Sequence, residues 1–300
     1  MKILITGANG FIGYNLVKSC LQKQYSLFLI SRNNTNISTL NYRQCSIENI
    51  DTLTKEILEF NPDVVVHCAW DGGNSYIDIH NKKQFNNVFY GLKLLQILTP
   101  LKKVHFICLG SAAEYGDKSE IINEEILEQP INFYGISKLS FKELSYIFCK
   151  NNNILWTWVR PFYTYGPRDV STRLIPKTII SCLKNEDIEL NSCDSITDYL
   201  FIEDFISGLI CIIEKKIEGV YNICSEKQFE IKTIIKTIHN LCGSKAKINF
   251  NKNLDRKKFP SFICGSNKKF INATKTWKPN TDLNNGLIKT IAFYETLNNH

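Results

Sequence analysis

Tyr134 and Lys138 stand four residues apart in Tyr134-Gly135-Ile136-Ser137-Lys138, which puts both on one face of a helix. A phenol with a pKa of about 10 is a poor acid–base group near neutrality, and a neighbouring ammonium favours its phenolate. Such a pair alone is common on protein surfaces. Ser111 gives it weight, because it follows the apolar run 104–109 and its hydroxyl can hydrogen-bond the same oxygen as the phenol. Together the three side chains suit proton exchange at a substrate oxygen.

A second constellation opens the chain. Residues 2–6 form an apolar run, then Gly7, Gly10 and Gly13 follow at three-residue intervals, and Phe11, Ile12, Leu16 and Val17 recur at helical spacing. A strand that turns through glycines into a helix is a phosphate cradle. Its helix start offers unpaired N–H groups and a positive dipole end, and glycines allow close backbone approach. Glycines in this pattern also mark ordinary turns, so its position between strand and helix is what carries the argument.

These groups require elements to hold them. Apolar runs at 26–30, 63–67, 104–109 and 154–159 read as buried strands; helical periodicity at 47–60, 78–98 and from 134 to about 151 reads as the helices between them. Alternating strands and helices with continuous apolar strands indicate an α/β protein built on a doubly wound parallel sheet. Ligands of such sheets lie beyond the C-terminal strand ends, where each of these motifs falls. Residues 1–165 are expected to form this domain. Residues 166–300 read as a smaller, mainly substrate-binding mixed α/β region, with helices at 174–183, 204–214, 231–241, 268–276 and 282–297 and strands at 188–190 and 220–223. Segments within about 192–225 are expected to return to the main sheet.

The composition, 44% hydrophobic and 22% charged over 300 residues, is that of an ordinary globular chain. No apolar run has the length of a membrane span, and the first residues enter a core strand, so a cytoplasmic protein without signal peptide or membrane contact is expected. Eleven cysteines lie singly, without metal spacing, and Cys68, Cys108, Cys211 and Cys224 sit in apolar runs. This pattern suits reduced thiols and no metal site. The net charge of +7 is spread along the chain, with some concentration at 256–258 and 268–269. It matches an anionic small molecule better than nucleic acid, which would want a basic stripe with exposed aromatics.

Gly7-x-x-Gly10-x-x-Gly13, Ser111 and Tyr134-x-x-x-Lys138 together resemble the extended short-chain dehydrogenase/reductase family, in its nucleotide-sugar branch. The resemblance runs through Asn87-Val88 and Gly91-Leu92, then Arg160-Pro161-Phe162-Tyr163-Thr164-Tyr165-Gly166-Pro167. It continues through 198–204, 221–223, Trp277-Lys278-Pro279 and Gly286-Leu287, and so covers nearly the whole chain. It implies a Rossmann domain and a nicotinamide cofactor. Tyr134 would exchange a proton with the sugar oxygen, Lys138 would hold the nicotinamide ribose, and Ser111 would orient the carbonyl. The cofactor would lie against Gly7, Gly10, Phe11, Ile12, Gly13, Ser31, Arg32, Cys68, Ala69, Trp70, Asn87, Leu109, Pro161 and Phe162. Trp70 suits the core equally well, and His67, ending an apolar strand, reads as structural. Substrate candidates are Ser111, Ala112, Glu114, Tyr163, Arg173, Pro176 and Arg256.

Departures from the family narrow the reaction. Dehydratase relatives carry an acidic pair directly after the Ser/Thr, where this chain has Ala112 and Ala113. Relatives that epimerise C3 and C5 place a cysteine where Ala113 stands. At the end of the second strand an acidic residue would bind the ribose hydroxyls of NAD(H). Here Ser31-Arg32 suits the 2′-phosphate of NADP(H), which is favoured. The resemblance implies NADPH-dependent reduction of a nucleotide-linked 4-keto-6-deoxy sugar, in deoxysugar biosynthesis for surface polysaccharide. Alternatives are a nucleotide-sugar 4-epimerase and a non-catalytic cofactor-binding regulator. Apolar residues around the helices at 78–98 and 134–149, among them Leu92, Leu95, Leu139, Phe141, Leu144 and Phe148, suggest a four-helix homodimer interface, as is usual in the family.

Overall fold

The structure is a computed structural model and describes residues 1–33, 41–72, 83–251 and 260–298. The first half runs β1 (Lys2–Thr6), α1 (Phe11–Gln22), β2 (Ser26–Ser31), β3 (Tyr42–Gln44), α2 (Thr54–Phe60), β4 (Val64–His67), α3 (Lys83–Leu98), β5 (His105–Leu109), α4 (Phe133–Asn151) and β6 (Leu155–Pro161). There follow β7 (Tyr163–Tyr165), α5 (Leu174–Lys184), β8 (Ile188–Asn191), β9 (Ile196–Thr197), β10 (Tyr199–Phe201), α6 (Ile202–Lys215) and β11 (Gly219–Ile223). The last elements are β12 (Phe229–Glu230), α7 (Ile231–Leu241), β13 (Ile248–Asn251), β14 (Phe262–Ile263), α8 (Lys268–Thr274) and α9 (Leu283–Asn298).

Seven strands form the main sheet in the order β11-β6-β5-β4-β1-β2-β3, and every pairing is parallel. The continuous apolar strands are explained by burial on both faces. Ile3, Ile5, Val64, Val66, Ile107 and Val159 belong to one core cluster, which includes Leu16 and Val17 of α1 and Phe205 and Leu209 of α6. The alternate residues Leu4, Val65, Phe106, Cys108 and Trp158 belong to the other, with Leu94 and Leu95 of α3 and Phe141 of α4. The strand order reverses between β1 and β4, so a crevice opens beyond their C-terminal ends, beside the glycine turn.

The expected helix at 47–60 is instead a 3₁₀ segment, Ile47–Leu53, followed by α2. Asn49 leaves helical geometry, and Thr52 Oγ1 donates to the Asn49 carbonyl at 2.8 Å, a local alternative to helical bonding. The described part of the helix expected at 78–98 begins at Lys83; residues 78–82 lie outside the described residues. β11 joins the main sheet beside β6, while β7 and β10 pair separately, as do β8 with β13 and β9 with β12 and β14. Of the four cysteines expected in the core, Cys108 and Cys224 are buried and Cys68 and Cys211 half-buried. Among the described residues, no helix is long and apolar enough to cross a membrane, and no side-chain cluster could hold a metal ion.

Candidate active site

The first turn of α4, which bears Tyr134, is pressed against the turn that bears Ser111. A Cβ on Gly135 would strike the Ala113 carbonyl and come within 2.9 Å of Pro130 Cβ, so glycine is what allows this approach. Asn132 caps the helix, its Oδ1 accepting the Gly135 N–H at 2.8 Å. Ser111 starts a single 3₁₀ turn, Ala112–Glu114, through a capping box: its Oγ accepts the Ala113 N–H at 3.1 Å, and its own N–H donates to Glu114 Oε1 at 2.7 Å. Because Ser111 Oγ accepts from the backbone, its hydroxyl proton is available to a ligand.

One turn along α4, Lys138 is buried. Its Nζ donates to the Leu109 carbonyl at 2.7 Å, lies 3.5 Å from the centroid of the Trp70 ring and 5.8 Å from that of Tyr134. Burial pulls the Lys138 pKa down to about 8, opposed by the negative side of Cys108, Glu114 and Cys68. His67 is neutral, pulled down to about 3 by burial and then by the Lys138 charge, and its Nδ1 meets Thr6 Oγ1 at 2.8 Å.

Beyond β1 and β4 lies a groove of about 390 Å³ lined by Gly7, Gly10, Ser31, Arg32, Cys68, Ala69, Trp70 and Asn87. Gly7 has φ +66°, and a Cβ there would lie 2.7 Å from the Ala69 N. Gly10 caps α1 without a side-chain hydrogen bond, leaving the first N–H groups of that helix to a ligand. A glycine cradle at an uncapped helix start fits a dinucleotide pyrophosphate. Phe11, Ile12 and Gly13 form the first turn of α1 above it. Trp70 lines the groove and also tilts against Phe141 of the core at 6.1 Å, while its Nε1 donates to Gln84 at 2.9 Å. Asn87 holds the wall rather than standing open, accepting the Asp71 N–H and donating to the Asp71 carbonyl. Arg32 Nη1 lies 3.2 Å from Asp71 Oδ1, and Lys83 approaches the other oxygen at 3.5 Å.

A smaller cavity, of about 120 Å³, lies against Ser111 and is lined also by Ala112, Ala113, Gly116, Ile131, Asn132, Pro161, Phe162, Tyr163, Pro260 and Ile263. Pro161 and Phe162, expected at the cofactor, thus face the Ser111 side. Glu114 requires correction as a pocket residue. It is fully buried, and its carboxylate takes the Ser111 N–H, the Trp158 indole N–H and Arg160 Nε. Arg173 is turned to Asp169 at 3.2 Å, and Pro176 is buried in the first turn of α5; neither lines this cavity. Arg256 lies outside the described residues. Asp71, Lys83, Ile131, Pro260 and Ile263 were not anticipated. Pro260 and Ile263 arrive from far along the chain with no motif of their own, whereas Asn132, an Asn two residues before a helical Tyr, carried a legible cap signal.

The description "NAD dependent epimerase/dehydratase family" belongs to a family model that matches residues 3–224. The chain is 25% identical to a CDP-abequose synthase of Salmonella typhimurium over 298 residues, 95% of each chain. It is 27% identical to a GDP-6-deoxy-D-talose 4-dehydrogenase of Aggregatibacter actinomycetemcomitans, over 84% of this chain and 83% of that one. Among solved structures it resembles the UDP-glucuronic acid 4-epimerase of Bacillus cereus in complex with UDP-glucuronic acid and NAD. The TM-score is 0.90 at 26% identity, over 99% of this chain and 100% of that one.

Proposed function

We propose that this chain, which belongs to the NAD dependent epimerase/dehydratase family, reduces the 4-keto group of a nucleotide-linked 4-keto-6-deoxy sugar using NADPH. The observation that carries this reading is the wall of the cavity beside Ser111. Ala112, Ala113, Ile131, Pro161, Phe162 and Ile263 line it beside Ser111, Asn132 and Tyr163, and among the described residues no carboxylate does. The apolar part of this wall suits a sugar methyl, and its described residues offer no carboxylate for eliminating a 6-hydroxyl. The Aggregatibacter relative, a GDP-6-deoxy-D-talose 4-dehydrogenase, agrees with redox chemistry at that carbon.

Bound NADPH would supply the hydride. It would lie on the Gly7–Gly10 turn with Ser31 and Arg32 at its adenosine end, and Lys138 and Trp70 near its nicotinamide end. The remaining chemistry belongs to the chain. Ser111 donates a hydrogen bond to the carbonyl oxygen, keeps its proton, and so orients that oxygen. Tyr134 gives the proton that the oxygen needs as it becomes a hydroxyl. Lys138 keeps a positive charge behind the phenol, which stabilises the phenolate left after transfer.

A second reading, a redox-neutral 4-epimerase, draws on the likeness to the NAD-bound Bacillus enzyme. Supplying CDP-, GDP-, dTDP- and UDP-linked 4-keto-6-deoxy sugars with NADPH separates the two. Stoichiometric NADPH oxidation is expected with at least one sugar; no oxidation with any of them, together with interconversion of the matching 4-hydroxy nucleotide sugars without net cofactor consumption, would replace the reductase by the epimerase. Tyr134→Phe should keep NADPH binding and lower kcat by about 10²–10⁴.

A further inference from the structure

Behind Ser111 lies a buried ionic assembly that the proposed chemistry does not use. Arg160 of β6 and Glu114 both have fully buried side chains, with Nε donating to Oε2 at 2.7 Å. Trp158 Nε1 donates to both carboxylate oxygens at 3.1 Å, and the Ser111 N–H takes Oε1. The rest of the guanidinium is also occupied. Nη1 donates to the Tyr115 hydroxyl at 2.6 Å, which in turn donates to Asn222 Oδ1 of β11 at 2.9 Å. Nη2 is paired with Glu128, which is paired in turn with Lys142 of α4. Lys142 lies one turn beyond Lys138, so the assembly joins the Ser111 turn to β6 and to the helix that carries Tyr134 and Lys138.

An ion pair taken wholly out of water gains little stability over apolar residues of the same volume, because desolvation offsets the attraction. What the pair does supply is geometry: two oxygens with fixed donors, one of them the backbone of Ser111. We infer that Glu114 is a positioning residue, which with Arg160 holds the Ser111 turn against α4 and so fixes the Ser111 hydroxyl relative to Tyr134. This rests on the assignment of Ser111 and Tyr134 proposed above. The Glu114 carboxylate also acts on Lys138 through its charge. Of the titratable groups around that ammonium, Cys68 is pushed up to about 12 and Cys108 well up by burial, and His67 is neutral. Tyr134 presents its ring. Glu114, with Cys108 and Cys68, favours the Lys138 ammonium against burial.

The test is a double-mutant cycle on the 4-keto sugar that wild type turns over. Wild type that turns over none of the sugars defeats the functional reading; active wild type makes the cycle decisive for Glu114. Glu114→Gln keeps the shape and an acceptor for the Ser111 N–H but removes the charge. Its kcat is expected to fall about ten- to hundredfold with the KM for NADPH within about twofold, the pattern of a misplaced group. In a Ser111→Ala background, at a pH below the basic limb of both proteins where Lys138 is charged, the same change is expected to add little, since there is no hydroxyl left to place. The Lys138 ammonium is lost as pH rises through about 8, so wild-type activity should fall there, and in Glu114→Gln that limb should move to lower pH. If an unpaired Arg160 prevents Glu114→Gln from folding, Glu114→Gln with Arg160→Met removes both charges and enters the same cycle. Equal losses with and without the Ser111 hydroxyl, or an unchanged kcat and basic limb in a folded variant, would overturn the inference.

Discussion

Arg32 is held by Asp71 in an exposed ion pair, a contact worth less than about 1 kcal/mol. A charge-assisted hydrogen bond to a 2′-phosphate is worth about 1.5–3 kcal/mol, so the guanidinium would exchange one partner for the other at a net gain. Arg32→Ala is therefore expected to weaken NADPH by that amount and leave NADH unchanged. Asp71→Asn would release both Arg32 and Lys83 and remove a negative charge beside the phosphate. It should tighten NADPH by up to about 1 kcal/mol. Titrating both cofactors into each variant checks this, and equal effects on NADPH and NADH would remove the argument for NADPH. Arg32 was legible because it follows a strand. Asp71 and Lys83 were not, since pairing across a fold leaves no mark in local spacing. The same holds for Glu114 and Arg160, separated by 46 positions. Two unrelated charges in sequence became one buried pair, and the carboxylate expected to face the substrate turned inward.

At the scale of elements, α3 and α4 meet where Gly91 faces Phe141. A Cβ on Gly91 would come within 2.5 Å of the Phe141 ring. That ring is fully buried and touches His67, Trp70, Phe106 and Trp158, so it has nowhere to retreat. Gly91→Ala would gain about 1 kcal/mol in helix propensity and lose about 1–3 kcal/mol by overpacking. A net destabilisation of up to about 2 kcal/mol is expected, read as a lower midpoint in urea; a more stable variant would show that the helices can part. The long elements were legible because their patterns repeat. β1, β2, β4, β5 and β6 are continuous apolar runs, and α4 through α7 show clear helical periodicity. What escaped were strands of two to four residues, β3, β7, β9, β10, β12, β13 and β14, which are too short to establish a period-two pattern. Their positions follow from tertiary pairing, as with β14 against β9.

At the scale of the molecule, the apolar girth of α3 and α4 divides into an inner and an outer face. Leu95 and Phe141, both taken from the sequence as interface candidates, are fully buried against the sheet, while Leu92 and Phe148 are half-buried. Leu144, also a candidate, lies on the outer face with Phe85 and Phe89 of α3 and Ile136 and Ile147 of α4, each at least 45% exposed. Residues 85 and 89 share a helical face, as do 136, 144 and 147. α3 packs alongside α4, and both helices present large apolar side chains to solvent on their outer sides. A second copy of the chain is the simplest occupant of this face, because a two-fold axis places the same four helices face to face. Burying a Phe or Leu side chain contributes about 1.5–3 kcal/mol, and each residue counts twice across such an axis. Phe89→Glu with Leu144→Glu should therefore weaken association by about 6 kcal/mol or more, beyond 10⁴-fold in Kd. Sedimentation at micromolar concentrations should find wild type dimeric and the double variant monomeric, with the double variant still folded because both positions face solvent within the protomer. A wild type that stays monomeric throughout that range would leave this face to another partner and exclude the four-helix dimer.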